Sequence, residues 1–291
     1  MSISIQKISP AVGAVVKGVD LSDPVSPDIF DTIEGAIAEH GVLVFHDQHL
    51  TPAQHVGFSR RFGSLETHVI SEALLEGYPE IYVISNVIEN GKPKGRAYAG
   101  TYWHSDLSYM PIPAMGSMMY ARQIPEIGGD TMFANMYLAY ETLSAGLQRM
   151  IEQLRAVHSF GHADKRHFSK RGATARLNES ARKKTPPVEH PVVRTHPTTG
   201  RKALFINPGF TSHFVDMTEE ESEPLLEYLF QHITQPAFIY RHRWQVNDLV
   251  FWDNRCTIHH AIRDYGEDTP RHMHRTTISG DKPFLSDCNA V

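Results

Sequence analysis

Cysteine is scarce: only Cys256 and Cys288 occur in 291 residues, and neither belongs to a Cys-x-x-Cys pair. That excludes a disulfide scaffold and a cysteine-ligated structural zinc, and it fits a reducing compartment, so the expected location is the cytoplasm. A basic excess is also missing. The formal net charge of −5 argues against nucleic acid as a partner, because chains that bind phosphate backbones carry a positive surplus. No apolar run approaches the roughly 18 residues of a membrane span. The opening Met1-Ser2-Ile3-Ser4-Ile5-Gln6-Lys7 also lacks the apolar core of a secretory signal, so no membrane association is expected. No internal repeat is evident.

What is present is an ordinary globular composition, 41% hydrophobic and 21% charged. That supplies enough apolar material for a sizeable core and gives no sign of a disordered or fibrous chain. A length of 291 residues admits one large β-rich domain. Histidine, by contrast, is abundant at 18 residues. It is the commonest metal ligand, so the excess favours a metal site without locating one.

Along the chain, residues 1–22 alternate in short pieces broken by Pro10, Gly13 and Gly18, which predicts paired strands. Ser26-Pro27-Asp28 starts a helix that Gly41 ends, and the apolar Val42-Leu43-Val44-Phe45 follows as a strand. Thr51-Pro52 starts a second helix. Residues 81–85 read as a strand, and 88–101 as an irregular, mobile segment beside the candidate site described below. Strands are expected over 115–122 and 130–136, around the turn Pro125–Gly129, and a helix over 138–157. Residues 161–187 gather lysines and arginines with few apolar neighbours and read as a second mobile segment. Strand, turn and strand follow over 191–206, then a helix opened by the capping box Thr218-Glu219-Glu220-Glu221, and strands over 238–244, 249–252 and 271–279. Many short strands with a few helices fit a mainly β fold with flanking helices.

The chemistry centres on Trp103-His104-Ser105-Asp106. In an extended strand residues i and i+2 share a face, so His104 and Asp106 grip one ion while Ser105 faces away. The apolar flanks Tyr98, Tyr102 and Trp103 before, and Leu107, Tyr109 and Met110 after, predict such a strand. One imidazole and one carboxylate make two thirds of the facial triad that holds non-haem Fe(II), and the second histidine must come from elsewhere. His259 and His260 follow an apolar strand, where a ligand is held rigidly, and only one of two adjacent residues can face the metal. His162-Ala163-Asp164, with His167 nearby, repeats the His-x-Asp spacing but lies in the basic segment with no strand to fix it. His272 and His274 are ringed by arginines, which disfavour a dication.

Five motifs occur in one order: Trp103-His104-Ser105-Asp106, Gly128-Gly129-Asp130-Thr131, Pro191-Val192-Val193-Arg194-Thr195-His196-Pro197, Trp252-Asp253-Asn254-Arg255-Cys256-Thr257-x-His259 and Met273-His274-Arg275. With them the chain resembles, from about Ile8 to Phe284, the TauD/TfdA family of taurine and 2,4-dichlorophenoxyacetate dioxygenases. The resemblance implies a single domain over 1–291 with a double-stranded β-helix core (jelly roll, cupin-like), and it implies Fe(II), 2-oxoglutarate and O₂ as metal, cosubstrate and oxidant. His104, Asp106 and His259 then ligate iron, Thr131 and Arg271 hold the distal carboxylate of 2-oxoglutarate, and Arg275 meets the acidic group of the prime substrate. An arginine fork holds a carboxylate by two parallel charge-assisted hydrogen bonds, and on one strand Arg271 and Arg275 share a face.

Where taurine dioxygenases recognise sulfonate, this chain has Glu66, His68, Ile70 and Gly100. His68 and Tyr102 are the candidates there, with Tyr109 and Phe210 as apolar walls. The implied reaction hydroxylates an aliphatic C–H of a small organic acid (sulfonate, sulfate ester, aryloxy or other carboxylate), with release of succinate and CO₂. The family also implies dimers or tetramers. Two other readings stand beside this one: a non-catalytic metal-binding jelly roll, and a zinc-dependent hydrolase, which needs a general base at the metal and has no use for Arg271.

Overall fold

A computed structural model of the chain describes residues 3–68, 71–97, 99–163 and 185–286. Its frame is an eight-stranded sheet, in the order Ser4–Lys7, Ala14–Lys17, Val42–Phe45, Leu249–Asp253, Ala114–Gln123, His272–Ser279, Tyr78–Ser85 and Leu74–Leu75. Neighbours pair antiparallel except Ala14–Lys17 with Val42–Phe45, which run parallel. A smaller three-stranded sheet, Ile239–His242, Thr131–Asn135 and Thr257–Ala261, packs against it, with the Phe133 ring 5.6 Å from Trp252. The site lies between these two sheets. Consecutive strands therefore split: Ala114–Gln123 enters the large sheet while Thr131–Asn135 enters the small one, and Ile239–His242 and Leu249–Asp253 divide the same way. Among the described residues, no helix is long and apolar enough to cross a membrane.

Local chemistry sets the helix ends. Thr51 and Gln54 cap Pro52–Ser59 reciprocally, as Thr218 and Glu221 cap Glu219–Ile233. Gly41 ends Pro27–His40 at φ 68° and returns its N–H to the Ile37 carbonyl at 2.9 Å. The same glycine carbonyl accepts the Asp253 N–H at 2.9 Å, so the helix stop is fastened to the segment that leads into His259. A Cβ at Gly41 would stand 2.9 Å from Thr257 Cγ2. Gly41→Ala should therefore destabilise the fold by at least the roughly 1–2 kcal/mol of a left-handed alanine, read by urea unfolding; an unchanged midpoint would mean the cap relaxes freely.

The long helix expected over 138–157 is in fact two short ones, Met136–Glu141 and Ala145–Ile151, followed by the strand Arg155–His158. Ser144 accepts the Leu147 N–H and restarts the helix, so apolar spacing runs across a break that the capping hydroxyl imposes. Segment 88–101 contains the small hairpin Ile88–Glu89 and Lys92–Pro93, and Arg96 then bridges to Ile84 at the edge of the large sheet. Most of 161–187, with Asp164 and His167, lies outside the described residues.

Candidate metal centre

His259 stands in the strand Thr257–Ala261 opposite Phe133. On its other side that strand meets His104 in a two-bond antiparallel bridge, His104 N–H to the His259 carbonyl at 3.0 Å and His259 N–H to the His104 carbonyl at 2.8 Å. The second histidine is thus the direct cross-strand partner of the first, and their rings lie 4.1 Å apart. His260 faces away, its ring 5.6 Å from Trp103.

The extended strand expected through His104 and Asp106 is not what forms. After the single bridge the chain turns, and Leu107 takes a left-handed φ of 55°. Asn254 holds that turn in place. Its Oδ1 accepts the Asp106 backbone N–H at 3.1 Å and the Trp252 Nε1–H at 3.1 Å, while its carbonyl accepts the Ser105 hydroxyl at 3.0 Å. The Asp106 carboxylate then lies 3.8 Å from Nε2 of His104 and 3.8 Å from Nε2 of His259. All three donor atoms fall within 4.8 Å of one another.

Electrostatics prepares these groups for a cation. Burial raises the Asp106 carboxyl, but Arg275, both histidines and the Ser117 hydroxyl outweigh it and hold the group below the usual carboxylate range. Arg275 Nη1 donates to Oδ1 at 2.7 Å and Ser117 Oγ to Oδ2 at 2.8 Å. Burial pushes both imidazoles down, so they are neutral donors. His104 Nδ1 donates to the Tyr102 carbonyl at 2.8 Å, which fixes its tautomer and leaves the Nε2 lone pair for a metal. Two neutral imidazoles and one carboxylate on one side fit a divalent ion with open positions.

Gly100 closes over His104 at φ 72°, and a Cβ there would come 2.8 Å from His104 Cε1. Gly100→Val should displace the imidazole and lower metal affinity about 10- to 100-fold, as disturbed supporting contacts do, measured by metal titration. Full affinity in that variant would mean the loop yields instead.

Beside the triad lies a cleft lined by Thr131, Arg271 and Arg275; Arg271 stands just ahead of the strand His272–Ser279 that carries Arg275, not within it. Trp244 Nε1 donates to Thr131 Oγ1 at 3.0 Å, which leaves the threonine hydrogen available to an acceptor. Arg271 Nε donates to the Gly129 carbonyl at 3.1 Å, whereas its buried Nη2 has no partner among the described residues. Against His104 packs Tyr102, which also meets Phe210, in one apolar cluster with Tyr109 and Phe160. His68 stacks on Tyr82 at 4.1 Å, and Arg275 lies over the same tyrosine ring at 5.3 Å. Burial, then the charges of Arg275 and Arg96, push His68 down to about 3, so it is neutral at physiological pH.

The competing histidines do not join the site. His162 belongs to no metal-capable cluster among the described residues, and His272 and His274 face each other at 3.2 Å. A second cluster, His196, Asp253 and Cys256, is a structural network. His196 Nδ1 accepts the N–H groups of Thr198 and Thr199, so its proton sits on Nε2 and is donated to Asp253 at 3.1 Å. Asp253 also takes the Arg255 fork. Sequence reasoning missed the parts played by Asn254, Ser117, Tyr82 and Trp244; only Asn254 lay in a quoted motif.

Residues 4–277 match the family described as "Taurine catabolism dioxygenase TauD, TfdA family". The chain is 38% identical to the "Alpha-ketoglutarate-dependent 2,4-dichlorophenoxyacetate dioxygenase" of Cupriavidus pinatubonensis, over 97% of this chain and 99% of that one. It is 33% identical to the "Alkylsulfatase" of Acinetobacter baylyi, over 96% of this chain and 86% of the other. A solved structure described as "AAD-2 in complex with Mn(II) and N-oxalylglycine" superposes with a TM-score of 0.82 at 33% identity, covering 98% of this chain and 100% of that one. With the two packed sheets and the His-Asp-His triad, these matches settle the assignment: the chain belongs to the TauD/TfdA family, the jelly-roll dioxygenases that depend on 2-oxoglutarate.

Proposed function

We propose that this enzyme uses Fe(II), held by His104, Asp106 and His259, to hydroxylate an aliphatic C–H of a small organic acid. An aryloxyalkanoate is the first choice, with sulfate esters and sulfonates as further members of the class. The observation that carries the reading is the pairing of the triad with Arg271, whose buried Nη2 lacks a partner among the described residues. When bound, iron and 2-oxoglutarate supply oxidative decarboxylation of the keto acid to succinate and CO₂, coupled to oxygen insertion into the substrate.

The chain's own residues do the rest. Arg271 and the Thr131 hydroxyl converge on the far end of the cleft, where a carboxylate would receive charge-assisted hydrogen bonds. Asp106, kept ionised by Arg275, supplies the negative ligand. Beyond the triad, no carboxylate lines the cleft among the described residues, whereas Arg271 and Arg275 are cations, which favours an anionic ligand there. Tyr102, Tyr109 and Phe210 offer an apolar wall to an aryl or alkyl body.

Anaerobic titration of the Fe(II)-loaded protein with 2-oxoglutarate tests the cofactor assignment. A weak visible charge-transfer band should appear and saturate, and succinate release should then increase with 2,4-dichlorophenoxyacetate, hexyl sulfate or pentanesulfonate. No band on properly loaded protein would overturn the assignment.

A further inference from the structure

Arg271 is held at two levels. Its backbone is fixed by Asn86, whose Oδ1 accepts the Arg271 N–H at 2.8 Å and whose own N–H donates to the Arg271 carbonyl at 3.3 Å. Its guanidinium is aimed by the bond from Nε to the Gly129 carbonyl at 3.1 Å. The direction of the fork therefore depends on where the turn Gly128-Gly129-Asp130 sits. Two successive left-handed glycines, at φ 86° and 73°, give that turn little stiffness of its own. It is held from outside by the segment that follows His259. Ala261 pairs with Thr131, and the Ile262 N–H carries the ladder one step further, to the Asp130 carbonyl at 2.8 Å. The chain then brings Asp264 over the glycines. Asp264 Oδ1 accepts the buried Gly129 N–H at 2.7 Å, and a Cβ at Gly128 would come 2.7 Å from the same oxygen. Arg241 closes the arrangement, its Nε donating to Asp130 Oδ2 at 2.6 Å and its Nη2 to Asp264 Oδ2 at 3.3 Å.

Gly129 is thus gripped by Asp264 at its N–H and by Arg271 at its carbonyl, and Thr131 follows two residues later. Neither Asp264 nor Arg241 lines the cleft, and both are exposed. An exposed ion pair between them contributes little by itself. The bond from the carboxylate to a buried peptide N–H is the part that reaches the site. We infer that Asp264 is a positioning residue for the cosubstrate: through Gly129 it aims Arg271, and with Arg241 it sets the spacing between that guanidinium and the Thr131 hydroxyl. This inference rests on the reading of Arg271 and Thr131 as the partners of the distal carboxylate of 2-oxoglutarate.

The test uses Asp264→Ala and Asp264→Asn, and Asp264→Ala combined with Arg271→Ala, in full-length protein loaded with Fe(II) and kept anaerobic. 2-Oxoglutarate is titrated while the charge-transfer band is followed, and iron content and the urea midpoint are read on the same samples. Asp264→Ala should raise the 2-oxoglutarate concentration at half-saturation about tenfold, the scale of one hydrogen bond to a charged group, with iron content unchanged. Asp264→Asn keeps an oxygen for the Gly129 N–H and should recover most of that loss. In the Arg271→Ala background, Asp264→Ala should add less than about threefold, because its effect passes through the arginine. Losses that multiply in the double variant would overturn the inference, as would a half-saturation in Asp264→Ala within about twofold of wild type. A lowered urea midpoint with normal 2-oxoglutarate binding would also overturn it and mark Asp264 as a structural contact only. If Arg271→Ala by itself leaves the titration unaltered, the cosubstrate reading fails and this inference with it, an outcome visible without any Asp264 variant.

Discussion

Arg271→Ala should raise the 2-oxoglutarate concentration needed for half-saturation about 10- to 100-fold, since charge-assisted hydrogen bonds contribute roughly 1.5–3 kcal/mol. The surrounding structure is built around this one side chain. Arg271 is buried, its Nε is spent on the Gly129 carbonyl, and Gly129 at φ 73° approaches so closely that a Cβ would stand 3.2 Å from that nitrogen. Only the Nη side is left to face the cleft. Metal binding should survive, because Arg271 makes no contact with the triad among its described partners. Titrating the charge-transfer band separates the two effects: in the variant the band should need far more 2-oxoglutarate at an unchanged iron content. Arg271→Lys should fall between, with charge retained and the fork lost. An unaltered titration would move the carboxylate contact to another cation.

Why some of this was legible in the sequence follows from the range of the interactions. Thr51 with Gln54, Thr218 with Glu221 and Gly41 after His40 act within a few residues, so the helix ends they fix were predictable from local chemistry. Alternation along a strand is local too, but it showed only that one of His259 and His260 could face a metal; the family resemblance pointed to His259, and the structure turns His260 toward Trp103. The conformation of the His-x-Asp segment was not legible. Its shape depends on Asn254, 148 residues away, and aromatic flanks that favour a strand cannot report a hydrogen bond of that separation. The partner of Arg275 was hidden for the same reason, since Asp106 lies 169 residues from it. In the helical stretch over 138–157 the evidence was local but was outvoted, because the apolar spacing continued past Thr142, where the first helix ends, and across Ser144, whose hydroxyl starts the next.

Asp106→Ala should abolish iron-dependent turnover and also destabilise the protein, and the two losses have separable causes. The first is coordination: two imidazoles remain, and the cation of Arg275, no longer neutralised by a carboxylate, now opposes a metal ion beside it. The second is burial. Arg275 is 7% exposed and Asp106 4% exposed, so removing the acid leaves a guanidinium inside the fold without its ion-pair partner. Breaking such a pair from one side costs about 3–5 kcal/mol, whereas replacing both members with apolar groups is often neutral. The double variant Asp106→Ala/Arg275→Met should therefore regain most of the stability lost by Asp106→Ala and none of the activity. Urea unfolding and metal content, measured on wild type, both single variants and the double variant, complete the cycle. Equal destabilisation of Asp106→Ala and the double variant would show that the pair stabilises the fold by packing. Recovery of iron binding in the double variant would show that Arg275 repulsion, not the missing ligand, is what excludes the metal.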